Sequence, residues 1–593
     1  MPGSKAVVDA LNQDVEASNT ITDTSASVTE NISAVAVADD DSVAVAVVQG
    51  PTDVPDEARS RGIAHIFMMM CLIMAVSLVA SNATILGTAI PSITSEFNTV
   101  QDVGWYSAAY FISSCAMTPL TGVLYRIFNL KIMYLGSIGM FELGCLVAGT
   151  AQSSSAIIVG RAISGIGSGG LITGTTTIIA ATVPLSRRAF VMGIGMACLA
   201  SGQAVGPVLG GVLTSVSWRW CFYINLPLGG LVAIVLGFFM KLPVSRLTTT
   251  ELTVFQRIMT IDVAGFFGFA SGCIMLLLGL EWGGDKYAWN SATVIGLLCG
   301  GGAMFACLVG WFVYQGDTAL IPPRLSKDRI NVAIGITAFV QSGGVFTAAY
   351  WLPIWFQGVK GASPISSGTM ILPSVISQLI AGVVCGSVVQ KTGYYLPEVI
   401  GGNCLVVAGA ALMSTMRPDT SMGQWIGYQI LLGTGRGFVM QLLVTAIQTN
   451  LPAEDASLGS AYVLFAQYFG GAIFAAVSKT VFTSSIPSAV SKYAPGLNST
   501  LLINSGVTEL RQKVPTEYLE GAILAYNQSI NHVFYVQLAA ACSALIAGCF
   551  VGWRKVNAKK GSKGNLEVSD AETARAGNPP VKREDAEKDA SKE

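Results

Sequence analysis

The stretch GQAVGPVLGG, residues 202–211, sets residues that weaken an isolated helix into an otherwise apolar segment. In water such a helix is handicapped. In lipid the pattern has a use: spacing by four puts Gly202, Gly206 and Gly210 on one face, where the missing side chains let another backbone approach. Gly211 extends the small-residue tract, and Pro207 frees a backbone carbonyl and predicts a bend. The preceding segment, GRAISGIGSGGLITG (160–174), repeats the device with Gly165, Gly169, Gly170 and Gly174. The two helices are therefore expected to touch each other. Gly165, Gly167 and Gly170 also form a G-x-G-x-x-G match, but dinucleotide binding needs that motif at a strand-turn-helix junction, which a membrane helix does not offer.

Composition points the same way. Apolar residues make up 52% of the 593 and charged residues only 12%, half the share usual in soluble chains. Much of that charge lies in polar tails, residues 1–60 and 554–593, which read as disordered and cytoplasmic. A net charge of −1 gives no basis for nucleic-acid binding. The 12 cysteines fall mainly in apolar runs without paired spacing, and there are only 2 histidines. Neither a disulfide framework, a metal centre nor a hydrolytic triad is expected. No phosphate-binding loop of the G-x-x-x-x-G-K-[ST] type occurs, so no nucleotide or other cofactor is implied and ATP does not drive the protein directly.

Apolar runs of about twenty residues, enough to cross a hydrocarbon core, fall at 66–90, 104–124, 132–150, 156–180, 190–213, 221–240, 262–280, 291–315, 331–352, 368–389, 397–416, 424–446, 457–482 and 532–553. Basic residues concentrate in alternate loops: Arg126 and Lys131, Arg187 and Arg188, Lys241, Arg246 and Arg257, Arg324, Lys327 and Arg329, then Lys391. Retention of such loops in the cytoplasm places both termini there and requires an even number of spans; fourteen satisfies it. Segment 483–531 becomes an external loop whose sequons, at Asn498 and Asn527, are candidate glycan acceptors.

Charges within spans cost about 2.5–3.5 kcal/mol on insertion scales, so each is a functional candidate. Glu142 is mid-span and either titrates or is packed in its neutral form. Arg436 lies among Gly433, Gly435 and Gly437, where it either binds an anionic group or holds its bundle together. The uncharged polar residues Asn82, Gln203, Gln341, Tyr350, Gln429, Gln441 and Gln467 suit, as a set, a cavity for organic molecules rather than ions.

Several motifs in order resemble the major facilitator superfamily, in its fourteen-span drug:proton antiporter branch, and within it the fungal toxin and multidrug efflux pumps. GQAVGPVLGG resembles the fifth-helix antiporter motif, and IIVGRAISGIG (157–167), with Arg161, the fourth-helix motif. TILGTAIPSI (84–93), SWRWCFYINLP (217–227), LEWGGDKYAWNS (280–291) and YWLPIWFQGVKGASPISSG (350–368) are similar to further signatures of the branch. The resemblance covers roughly residues 65–555. It implies an all-α polytopic membrane protein with six-helix bundles at 66–240 and 331–553 and two additional helices at 262–315. It also implies that Arg161 serves proton transfer or cavity electrostatics.

Two departures stand out. In the cytoplasmic gating loop GVLYRIFNLK (122–131), Gly122 and Lys131 match, but Arg126 occupies the acidic position and Asn129 and Leu130 replace Gly-Arg. In the first span Asn82 stands where the branch commonly has an aspartate, and an amide cannot carry a proton.

The resulting expectation is a membrane protein, not an enzyme. It exports small amphipathic organic molecules (a toxin, secondary metabolite or drug) by exchange for protons, as a monomer in the plasma membrane; a vacuolar or vesicle membrane obeys the same physics. The alternatives are an iron-siderophore transporter and a transporter-like sensor that binds a metabolite without moving it.

Overall fold

A computed structural model describes residues 63–97, 102–240, 260–284, 286–499, 502 and 514–556. The tails expected at 1–60 and beyond 556 lie outside the described residues, as do Lys241, Arg246 and Arg257.

Helices account for nearly all of it. The first half holds α1 (Ile63–Thr84), α2 (Leu86–Phe97), α3 (Val103–Ile127), α4 (Leu130–Gly149), α5 (Ser154–Thr182), α6 (Leu185–Thr214), α7 (Trp220–Tyr223) and α8 (Asn225–Phe239). Then come α9 (Val263–Trp282), α10 (Ala292–Gln315) and the short α11 (Pro323–Lys327). The second half holds α12 (Arg329–Gly358), α13 (Pro364–Thr369), α14 (Leu372–Thr392), α15 (Leu396–Met413), α16 (Met422–Asn450), α17 (Ala456–Tyr493) and α18 (Thr516–Gly548). Among the described residues, 13 helices are long and apolar enough to cross a membrane. The helix found at the expected span 190–213 is α6, of 30 residues, which stands outside that set. In this order Arg126, Arg187, Arg324 and Lys391 all fall at one end of the bundle, here called the basic end.

Short polar caps set the helix starts, because the first turn leaves backbone N–H groups without intrahelical partners. Ser153 receives the Ala156 N–H at α5, Ser291 that of Val294 at α10, and Asp328 that of Ile330 at α12. Asn129 does the same for α4, accepting from Lys131 N at 2.9 Å and Ile132 N at 3.4 Å. The glycine that the gating motif usually has there is thus exchanged for a capping side chain.

Helix packing rests on glycine. A Cβ at Gly202 would stand 2.5 Å from the Ser77 carbonyl oxygen, one at Gly206 2.9 Å from that of Ser81, and one at Gly210 2.4 Å from that of Ile85. The face spaced by four is therefore filled, but by α1 and the start of α2. The glycines of α5 meet other partners than expected: Gly165 and Gly169 lie on α3 (the Tyr110 and Ser114 carbonyls), while Gly167 and Gly170 lie on Phe141 and Ser137 of α4. Contact between α5 and α6 is slight. The expectation that the glycine faces of these two helices pack on each other fails, because each face is taken by a different helix. Gly211 also departs from its assigned role, with nothing within 4 Å of a Cβ placed there. Pro207 lies within α6.

The far ends of the second half differ from expectation. Residues 483–493 continue α17, and α18 begins at Thr516, sixteen residues before the expected span. The residues at 483–493 and 516–531, read as loop, belong instead to helices. Asn527 is 6% exposed; it accepts from Trp355 Nε1 at 2.7 Å and donates to the Met416 carbonyl at 3.1 Å. A glycan acceptor must be open to solvent, so Asn527 is withdrawn as a candidate. Asn498 lies outside helix and is exposed.

Candidate functional site

The halves meet along two seams, α6 against α14 and α3 against α17. In the first, a Cβ at Gly193 would lie 2.6 Å from the Gly382 carbonyl oxygen, and one at Gly386 2.7 Å from the Phe190 Cα. In the second, a Cβ at Gly122 would lie 2.5 Å from that of Ala461 and 3.1 Å from the Ser457 carbonyl oxygen. These backbone-to-backbone contacts all lie toward the basic end. Gly382 and Gly386 were not singled out from the sequence, although their spacing by four was the signal that marks such a face.

An ionic cluster closes the same end. The Asp455 carboxylate, 5% exposed, lies 3.0 Å from Arg324 Nη2 and 3.4 Å from Arg126 Nε. Asp455 begins α17, Arg126 ends α3, and Arg324 belongs to α11, so one carboxylate joins both halves and the connecting segment. The gating loop thus has a charge contact with reversed polarity, the cation on α3 and the anion on the second half. Nearby, Arg188 Nη1 faces Gln448 Oε1 at 3.5 Å across the seam. Asp328 and Asn331 receive the Asn450 amide at 2.8 and 2.6 Å. Burial pushes the Asp328 carboxyl up, but the Ile330 and Asn450 hydrogen bonds and the charges of Arg554 and Arg329 outweigh it and hold the group below the usual carboxylate range.

Arg161 is fully enclosed inside the first half. Its Nε donates to the Tyr106 carbonyl at 2.8 Å, its Nη1 to the Asn82 carbonyl at 3.1 Å, and its guanidinium carbon sits 4.3 Å above the Tyr110 ring. Nη2 and both polar atoms of the Asn82 side chain have no protein partner. Asn82 and Arg161 are therefore brought together, and among the described residues no acid forms an ion pair with that arginine. Glu142 is placed elsewhere, on α4 against Gly229 of α8, and forms no ion pair with Arg161.

In the second half Arg436 and Gln441 come together, with Gln467 bonded to the backbone between them. Arg436 and Gln441 line one small cavity at the α6–α14 seam, and Gln467 donates to the Met440 carbonyl at 3.4 Å. The other candidates lie apart from this group. Gln429 is tied to the Met370 carbonyl at 3.0 Å, toward the opposite end; Gln341 is buried with neither amide atom partnered; Tyr350 is 62% exposed and Gln203 is exposed. The motif at 217–227 is structural: Trp218 Nε1 and Arg219 Nη2 both donate to Glu96, at 2.6 and 3.1 Å, pinning α2 to the turn before α7. Lys131 reaches the Gly237 carbonyl and ties α4 to α8. All twelve cysteines are free, and no group of residues able to hold a metal ion occurs among the described residues.

Comparison with known proteins accounts for this architecture. The Major Facilitator Superfamily profile matches residues 67–475. The chain is 39% identical to the MFS-type transporter pigP of Monascus ruber, over 87% of this chain and 91% of that one. It is also 39% identical to the MFS-type efflux pump MFS1 of Arthroderma benhamiae, over 82% and 91% of the respective chains. Among solved structures, the proton:xylose symporter XylE bound to 6-bromo-6-deoxy-D-glucose superposes with a TM-score of 0.54 at 14% identity, covering 83% of this chain and 96% of the other; this likeness concerns the fold alone. With its helical halves, its membrane-spanning helices and these relatives, the chain belongs to the Major Facilitator Superfamily and is a multi-pass membrane transporter, not an enzyme.

Proposed function

We propose that this protein is a secondary active exporter that moves small amphipathic organic molecules out of the cytoplasm in exchange for protons, by alternating access between its two halves. The observation that carries the reading is the seam. Close packing without side chains at Gly193, Gly382, Gly386 and Gly122 gives each half a smooth face that separates and re-forms without unthreading interlocked side chains. The basic end is assigned to the cytoplasm by its charges, so this arrangement is the state closed toward the cytoplasm. Relatives named as transporters and efflux pumps support outward movement. Fourteen crossings, with α6 among them, both tails in the cytoplasm, a monomer and residence in the plasma membrane complete the proposal.

Asn82 cannot carry the proton, and Glu142 lies off the seam. Arg161 supplies a buried positive charge that shapes the electrostatics of the first half. The test is efflux from sealed proteoliposomes under an imposed pH gradient, using a panel of amphipathic metabolites, with Arg161→Ala and Glu142→Gln beside the parent. Gradient-driven movement that an uncoupler abolishes is expected. Binding without movement would replace the exporter by a sensor.

A further inference from the structure

Resting on the exporter reading, we propose that Arg436 is a binding site for an anionic oxygen group, so that the preferred cargo is an amphipathic organic acid carrying a carboxylate. Arg436 is 6% exposed, near the middle of α16. Its Nη2 donates to the Val345 carbonyl of α12, and its Nε is buried with no partner. Among the described residues no carboxylate lies within ion-pair distance of it. The other buried charges are accounted for differently. Asp455 has its two arginines, and Asp262 receives the Gly265 N–H, the Leu320 N–H and the Trp311 indole. Arg161 is closed in by its own half.

Position separates Arg436 from a merely structural tie. With Gln378, Met440 and Gln441 it lines a cavity between Gly193 of α6 and Gly382 of α14, where the two halves touch. Gly433 and Gly437 explain how it comes to be there: a Cβ at either would meet the Ser374 or Gln378 carbonyl, at 2.2 and 2.4 Å, so α14 lies directly on α16 beside the arginine. A tie between α16 and α12 needs one donor. Arg436 offers five and a permanent charge, with two neutral amides beside it and no competing acid. A carboxylate entering as the seam parts would take the free edge of the guanidinium through charge-assisted hydrogen bonds. Met440 provides an apolar wall for the rest of the molecule. In this closed arrangement the cavity has room for no more than about one water, so a carboxylate enters only when the seam opens.

The experiment uses the full chain in proteoliposomes and one matched pair of probes, pyrenebutyrate and its neutral amide, read by equilibrium binding and by flux under a pH gradient. The expected result is a preference for the carboxylate that falls at least about tenfold in Arg436→Gln and is partly kept in Arg436→Lys. Gln378→Glu, which places a carboxylate on the cavity wall beside the guanidinium, is expected to lower the preference in the same way while the protein keeps its thermal midpoint; this guards against a folding defect in Arg436→Gln. Equal affinity for both probes, or a preference unchanged in all three variants, overturns the anion site while leaving export intact. Inorganic phosphate displacing pyrenebutyrate as well as unlabelled pyrenebutyrate does would show a simple anion site and overturn the organic-acid reading. Preference for the acid with no gradient-driven flux would retain the site and overturn the exporter.

Discussion

The two buried arginines are the same residue put to different uses. Arg161 lies inside one half, anchored on two carbonyls and a tyrosine ring contributed by α1 and α3. Arg436 lies where the halves meet, with one carbonyl partner and an edge on the seam cavity. An arginine whose partners all move with it serves the integrity of its half. One that borders the seam is placed, on the proposed alternating access, to sense what lies between the halves.

Substitution tests that difference. Arg161→Ala is expected to have the largest effect: it removes two charge-assisted hydrogen bonds and the ring contact, and leaves a gap in a fully buried site, a loss of about 3 kcal/mol. A lowered thermal midpoint of the detergent-purified protein checks it; a midpoint equal to that of Arg436→Gln would erase the distinction. Gly193→Leu comes next. A Cβ already meets the Gly382 carbonyl oxygen at 2.6 Å, so the larger side chain holds the α6–α14 seam apart, and flux is expected to fall at least about tenfold with little loss of the midpoint. Retained flux would show that the seam does not close during transport.

Asp455→Asn should act more weakly. Its arginines are 26% and 42% exposed, and pairs with such access to water contribute about 1 kcal/mol or less. The expected outcome is a modest shift toward the state open at the basic end, seen as faster labelling of a cysteine placed at Ser457 in a cysteine-depleted background. Exchanging Arg126 and Asp455 is expected to reverse part of that shift. Gly211→Ala is the smallest change: with nothing within 4 Å of the added methyl, midpoint and flux should match the parent, whereas Gly206→Ala meets Thr84 and Ser81 of α1 and should not.

Much of the fold was legible in the chain. Apolar run length located helices at every expected span, because in lipid a crossing segment must satisfy its own backbone. Small residues at intervals of four marked the contact faces correctly on α6. What they could not state was the partner: the α5 glycines meet α3 and α4. The apolar run at 532–553 started α18 too late, because polar residues such as Glu517, Glu520 and Asn527 interrupt the apolar pattern of its first half, and the burial of Asn527 shows only once Trp355 and Met416 are bonded to it. Of the candidate site, Arg436 and Gln441 come together while Glu142 falls away. Asp455 escaped notice because it follows a proline in a short connection, and its importance exists only once Arg126 and Arg324 reach it.

The sequence by itself determined that this chain lives in a bilayer as helices, which of its ends carries the positive charge, and where helix surfaces lack side chains. Those properties follow from local composition and spacing, since burying a backbone in hydrocarbon leaves few conformations open. Tertiary structure alone decided which surfaces face each other, which arginine is enclosed and which borders the seam, and that a reversed ion pair closes the basic end. Such contacts join residues hundreds of positions apart, and their energies depend on distances of a few ångströms that no local pattern encodes.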